Sequence, residues 1–362
     1  MQNSAPRRSE RESNFELLRI VAMFLVVLYH ASGRARGLAE DQGFSTNPFF
    51  FQLCSFCGDL GNSLFVLISG YFLAGRSFSA RRVARLWMQT LFWSVLLTAL
   101  ALAAGRSFSI REVWRGMTPV FSITYWFITC YLIFCFFQPY MDRLLDTLDR
   151  REFRRLLVVM FVVFSLLRTV VPGGFVHFTK MTMFFFLYSI TAYLRRYPDA
   201  VGVFSRAWRC FAAAGALALL LIGYFALCLR FGDRISSLRL DRFNHMATLP
   251  QLAMALLIFL GFRALRMPHS RLVNRLATAC LGVYLIHYSY AWRDWIWHTL
   301  FGALPMNRAA AIIPCLLLAV VLVYALCTLL ELLRLRFVEP VCMRLIDRIP
   351  PVRRELERAA RR

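Results

Sequence analysis

Residues 14–33, Asn-Phe-Glu-Leu-Leu-Arg-Ile-Val-Ala-Met-Phe-Leu-Val-Val-Leu-Tyr-His-Ala-Ser-Gly, form a nearly unbroken apolar run. Its ionisable side chains are Glu16, Arg19, Tyr29 and His30. About 20 such residues cross the hydrocarbon core of a bilayer as a helix. Arg19 and His30 are eleven residues apart. At about 100° per residue that is close to three full turns, which puts both on one face, about 16 Å apart along the axis. Glu16, three residues before Arg19, shares nearly that face and can pair with it. Charged groups inside a span are costly unless they face protein or water, so by default they mark a functional site. Glu16 and Arg19 also fit a simpler role, snorkelling to the interface. His30, near the far end, fits that role less well and is read as a site residue or a structural hydrogen-bond partner.

The rest of the chain repeats the pattern. It has 362 residues, is 59% hydrophobic with 34 Phe, and carries a net charge of +23, so a soluble domain is excluded. Apolar runs of about 15–25 residues alternate with arginine-rich punctuation, the pattern of an all-α polytopic membrane protein rather than of a barrel with segments of about ten residues. Ten spans are expected, near 15–32, 49–74, 87–104, 125–141, 156–172, 178–194, 210–229, 248–262, 276–292 and 309–333. The run at 15–32 is long for a signal-peptide core and no small-residue cleavage site follows, so it is taken as retained. With a cytoplasmic N terminus, 29 of the 43 Lys and Arg fall in inside segments and 12 outside, so N and C termini are both expected in the cytoplasm. The basic charge is spread among loops between spans. That excludes a nucleic-acid partner and suits an anionic lipid surface.

No metal is expected. The six histidines show no metal-ligand spacing, and Cys54-x-x-Cys57 sits in an apolar span without a second pair. The ten cysteines fall mostly within spans, so no disulfide framework is implied. Pro172-Gly-Gly174 reads as an outer turn, with His177 and Lys180 beside it. Residues 1–14 read as a cytoplasmic segment, 15–340 as one membrane domain, and 341–362 as a basic, partly amphipathic helix on the inner leaflet.

The opening stretch, an acidic residue, then Leu18-Arg19, ten residues and Tyr29-His30, resembles the signature of the acyltransferase 3 family, integral-membrane enzymes that O-acylate surface polysaccharides and other acceptors. Leu17 stands where that family usually has Gly. Three further strings resemble it: Phe65 to Phe72 (Phe-x-x-x-Ser-Gly-Tyr-Phe) followed by Arg81-Arg82-x-x-Arg85, then Leu281-Gly-Val-Tyr-Leu-Ile-His287, then Arg336-Phe-Val-Glu-Pro340. Tyr125-Trp126-Phe127 is similar to the family's aromatic helix entry, and an interfacial aromatic belt would look the same. The resemblance runs from about residue 14 to 340 and implies a stand-alone membrane domain without the hydrolase-like extension of many relatives. It makes the Arg19–His30 pair, with Glu16, the catalytic element, and associates Arg81, Arg82 and Arg85 with the acyl donor. Clustered guanidiniums suit the phosphates of coenzyme A, although positive-inside placement also demands a basic loop here.

The expected activity is membrane O-acyl transfer from cytoplasmic acyl-CoA, most readily acetyl-CoA, to a hydroxyl of a surface polysaccharide or lipid-linked glycan at the cell (inner) membrane. His30 would serve as base or transient acyl carrier, and Trp126, Tyr284 and His287 would line the substrate path. The rival is a secondary transporter or flippase of a glycan or lipid-linked substrate, which would more typically show paired half-repeats. A second rival, the other membrane O-acyltransferase superfamily with its Asn and distant His, would have to use Asn274 and His287.

Overall fold

A computed structural model describes residues 12–41, 48–171, 180–232, 234–235, 239–303 and 309–360, and the regular structure among them is helical, with no strand. The helices are α1 (Ser13–Asp41), α2 (Pro48–Leu73), α3 (Ala80–Ala103), α4 (Ile110–Met117), α5 (Trp126–Thr147), α6 (Arg150–Phe161), α7 (Leu167–Val170), α8 (Lys180–Arg196), α9 (Ala207–Phe231), α10 (Leu249–Ala264), α11 (Arg271–Ala277), α12 (Cys280–His287), α13 (Arg293–Ala303), α14 (Ala309–Phe337), α15 (Glu339–Ile346) and α16 (Pro350–Ala360). A π-helical turn at Val162–Leu166 joins α6 to α7.

Helix underlies each of the ten expected segments where they are described. Five stretches are long and apolar enough to cross a bilayer: Ser13–Gly37, Pro48–Leu73, Ala80–Ala103, Ala207–Phe231 and Ala311–Phe337. The remaining segments are shorter, interrupted or charged: α10 has 16 residues, α11 and α12 are separate pieces, and α5 contains Pro139 and carries Asp142, Arg143 and Asp146 in its last two turns. The turn at Pro172–Gly174 and the neighbouring His177 lie outside the described residues, as do residues 1–11.

Helix α1 is the hub, touching α2 and α10 through α14. Its Phe15, Leu18 and Ala22 belong to one core cluster, shared with α2, α5, α8, α9 and α10. Its Met23, Val26, Val27, Ala31 and Ala35 belong to a second, shared with α3, α12, α13 and α14. Small residues let α1 and α2 approach closely: a Cβ on Gly61 would lie 2.6 Å from the Ala22 carbonyl, and one on Gly58 would strike the Tyr29 ring. Sixty-seven per cent of the apolar window of α2 is buried, against 22% of that of α9. The outward Leu219 and Leu220 of α9 are 70% and 72% exposed, apolar surface that lipid rather than water suits.

The tail forms two helices, not one. The first ends at Ile346, and Pro350 opens the second, α16. Both pieces pack on α3.

Candidate active site

A cavity of about 360 Å³ opens between α1, α2, α3, α5 and the α11–α12 pair. From α1 it is lined by Arg19, Met23 and Val26. These sit at i, i+4 and i+7 on one helical stripe, and the next position of that stripe is His30. The Glu16–Arg19 pair forms as the spacing predicts, with Arg19 Nη1 donating to Glu16 Oε1 at 2.9 Å and Oε2 at 3.1 Å. Glu16 is buried while Arg19 faces the cavity, so the carboxylate anchors the guanidinium without filling the space in front of it.

His30 stands beyond the cavity, partly exposed. Its Nδ1 is 3.0 Å from Nε2 of His287, and its ring stacks on Tyr288 at 4.4 Å. Tyr288 in turn stacks on Tyr284 at 5.6 Å, and Tyr284 lines the cavity. An aromatic column therefore connects the inner cavity to the imidazole pair. The Tyr284 hydroxyl is buried without a hydrogen-bond partner among the described residues. Buried hydroxyls are seldom left unpaired.

The three arginines of α3 are not equivalent. Ser79 caps the helix, its Oγ accepting from Arg82 N at 3.3 Å, so all three fall in the first two turns. Arg82 lines the cavity, and its guanidinium makes no hydrogen bond or ion pair among the described residues. Arg85 also lines it but is ion-paired to Glu339. Arg81 does not line it and points to the tail, donating through Nε and Nη2 to Asp347 at 2.8 and 3.2 Å. The Arg81 guanidinium holds the Asp347 carboxyl below its usual range.

Trp126 does not line the cavity either. Lys180 Nζ sits 3.9 Å over its ring and 3.9 Å from Asp59, while the adjacent Phe127 and Ile128 face the cavity. Tyr125, also adjacent, is buried and donates to the Leu285 carbonyl at 3.0 Å. Asn274 is engaged far from His287, accepting from Ser13 Oγ at 3.0 Å.

One ionic cluster escaped sequence reasoning. Glu331 of α14 is wholly buried and accepts from Arg334 (Nε at 3.1 Å, Nη2 at 2.7 Å), Gln89 (3.0 Å) and Trp93 (2.6 Å). Arg334 also donates to Glu339 at 2.5 Å, so a chain of charges runs from α14 through Glu339 to Arg85 at the cavity. A Cβ on Gly282 would lie 2.3 Å from Glu331, so the glycine in Leu281-Gly282-Val283 leaves room for the carboxylate. The available signal was an acidic and a basic residue at i and i+3 inside the apolar run of α14.

Membrane-length helices enclosing buried and cavity-lining charges define an integral-membrane protein, with the cavity as its candidate functional site. The family follows from comparison with known proteins: a model of the acyltransferase domain matches residues 12–329, nearly the whole chain. The protein belongs to the acyltransferase 3 family and is a membrane acyltransferase. No curated protein and no solved structure matches it.

Proposed function

We propose that the protein transfers an acyl group, in the first instance acetyl, from cytoplasmic acyl-CoA to a hydroxyl of a cell-surface glycan or glycolipid. In this reading it spans the inner cell membrane about ten times with both termini in the cytoplasm. The observation that carries it is the α1 stripe: Arg19, Met23 and Val26 line the cavity on the face that continues to His30, and Arg82 and Arg85 line the same cavity. A cavity at the low end of small-molecule volumes suits an extended acyl-pantetheine arm, with the nucleotide phosphates left at the arginines.

In the proposed step His30 takes the proton of the acceptor hydroxyl as its oxygen bonds to the thioester carbon. The C–S bond breaks, and the proton passes from His30 to the departing thiolate, so coenzyme A leaves as the thiol. Tyr284, whose side chain lines the cavity, would have to turn its buried hydroxyl toward the thioester carbonyl oxygen to serve as donor where negative charge develops.

The test is transfer of label from radiolabelled acetyl-CoA by native-host membranes carrying wild-type protein or His30→Ala. Label entering a polysaccharide or lipid fraction with wild type alone is the expected result. Equal label with both proteins removes His30 from the chemistry, and label with neither removes acetyl-CoA as donor.

A further inference from the structure

We propose that His287 is a positioning residue that decides which ring nitrogen of His30 is bare. The inference rests on the reading of His30 as the reacting imidazole, and the hydrogen-bond chain behind it stands on geometry alone. His287 Nδ1 lies 2.5 Å from the Val283 carbonyl oxygen, one turn back on α12. A carbonyl oxygen can only accept, so Nδ1 carries a hydrogen and donates. His287 is wholly buried, and its hydrogen-bond and ring partners are Val283, His30, Tyr284 and Tyr288, none of them a carboxylate. A buried cation without an anionic partner is costly, so the ring is neutral and Nε2 presents a lone pair.

That lone pair faces His30 Nδ1 at 3.0 Å. Two lone pairs do not face each other at that distance, so His30 Nδ1 carries the hydrogen and donates to His287. Neutral His30 is then bare at Nε2, the nitrogen with no hydrogen bond among the described residues. The ring plane is held as well, between Tyr29 and Tyr288. This is the triad arrangement, base plus orienting acceptor, with a neutral imidazole in the place of the carboxylate. His287 accepts from Nδ1–H whether or not Nε2 is protonated, so the chain needs no rearrangement during the reaction. The bare Nε2 is equally what a proton transfer or a transient acyl-histidine requires. The backbone carbonyl of Val283 thus selects the reactive nitrogen of a side chain on α1.

The deciding measurement is the ¹⁵N solid-state NMR spectrum of histidine-labelled protein in lipid, with the His30 signals assigned by their loss in His30→Gln. Wild type is expected to show a protonated Nδ1 and a bare Nε2 at His30. His287→Leu should shift the proton toward Nε2 and lower label transfer about 10²-fold, the cost of a misplaced reacting group, while the half-saturating donor concentration stays unchanged. His287→Gln, which returns an acceptor oxygen near the position of Nε2, should restore the Nδ1–H form and much of the rate. A wild-type His30 protonated at Nε2, or a His30 tautomer untouched by His287→Leu, overturns the proposal. The spectrum needs no substrate, so a failed acyl-transfer reading and a failed tautomer assignment are told apart.

Discussion

Replacing each α3 arginine by alanine should separate three residues that look alike in sequence. Arg82 lines the cavity with no side-chain partner among the described residues, so Arg82→Ala strands no buried carboxylate and its effect on binding is the lost ligand contact. A hydrogen bond to a charged group contributes about 1.5–3 kcal/mol, which converts to a roughly 10- to 150-fold rise in Kd for acyl-CoA. Arg85 must first leave Glu339 before it can engage a phosphate, so the net loss on Arg85→Ala should be smaller, below about 10-fold. Arg81 is held by Asp347 away from the cavity, and Arg81→Ala should leave Kd within about 2-fold. The assay is equilibrium binding of radiolabelled acetyl-CoA to purified protein in lipid nanodiscs, repeated at high salt to weaken phosphate contacts. Equal losses for Arg81→Ala and Arg82→Ala, or an Arg82→Ala protein with wild-type affinity, would refute the assignment.

Three more outcomes are expected. Glu331→Ala leaves Trp93 and Gln89 without their acceptor and Arg334 with Glu339 alone; denaturant titration in micelles should show a loss of about 3–5 kcal/mol, partly recovered in Glu331→Leu with Arg334→Met, and a loss below about 1 kcal/mol would show the pair to be dispensable. Tyr284→Phe should lower the rate of label transfer about 10²-fold with little change in donor affinity if the hydroxyl meets the developing oxyanion; an unchanged rate would return Tyr284 to a packing role. The folded-state value of Asp347 is depressed by Arg81, so its contribution to tail docking is present above the ordinary carboxyl value of about 4 and is lost as pH falls through the lower folded value. Amide exchange of residues 339–360, corrected for its intrinsic pH dependence, should rise over that window, and Asp347→Asn should abolish the pH effect and leave the tail loosened at neutral pH.

Helical periodicity explains what could be read without coordinates. Side chains three, four, seven and eleven residues apart share a face whatever surrounds them, so the Glu16–Arg19 pair and the alignment of Arg19 with His30 follow from order in the chain. The same local rule could have exposed Glu331 and Arg334, an ion pair at i and i+3 inside an apolar run. Hydropathy located helical segments, because an apolar run of that length has few alternatives in a bilayer.

The tertiary structure decided everything that depends on facing partners from distant sequence. His30 and His287 are 257 positions apart, and only the packing of α1 on α12 makes them neighbours. Arg81 and Arg85 are occupied, and Arg82 is not, because Asp347 and Glu339, more than 250 positions away, return beside α3. Spacing within a basic motif carries no information about where the counter-charges return. At the entry to α5 the chain offers Tyr125, Trp126 and Phe127 in succession, and the helix turns Phe127, not Trp126, to the cavity. Sequence by itself determined a helical membrane bundle and the face of α1 that carries its charges, since those rest on periodicity and apolar length. Which arginine of α3 is left without a partner among the described residues, and which imidazole His30 meets, were decided by contacts between helices, since a hydrogen bond depends on the partner across the gap.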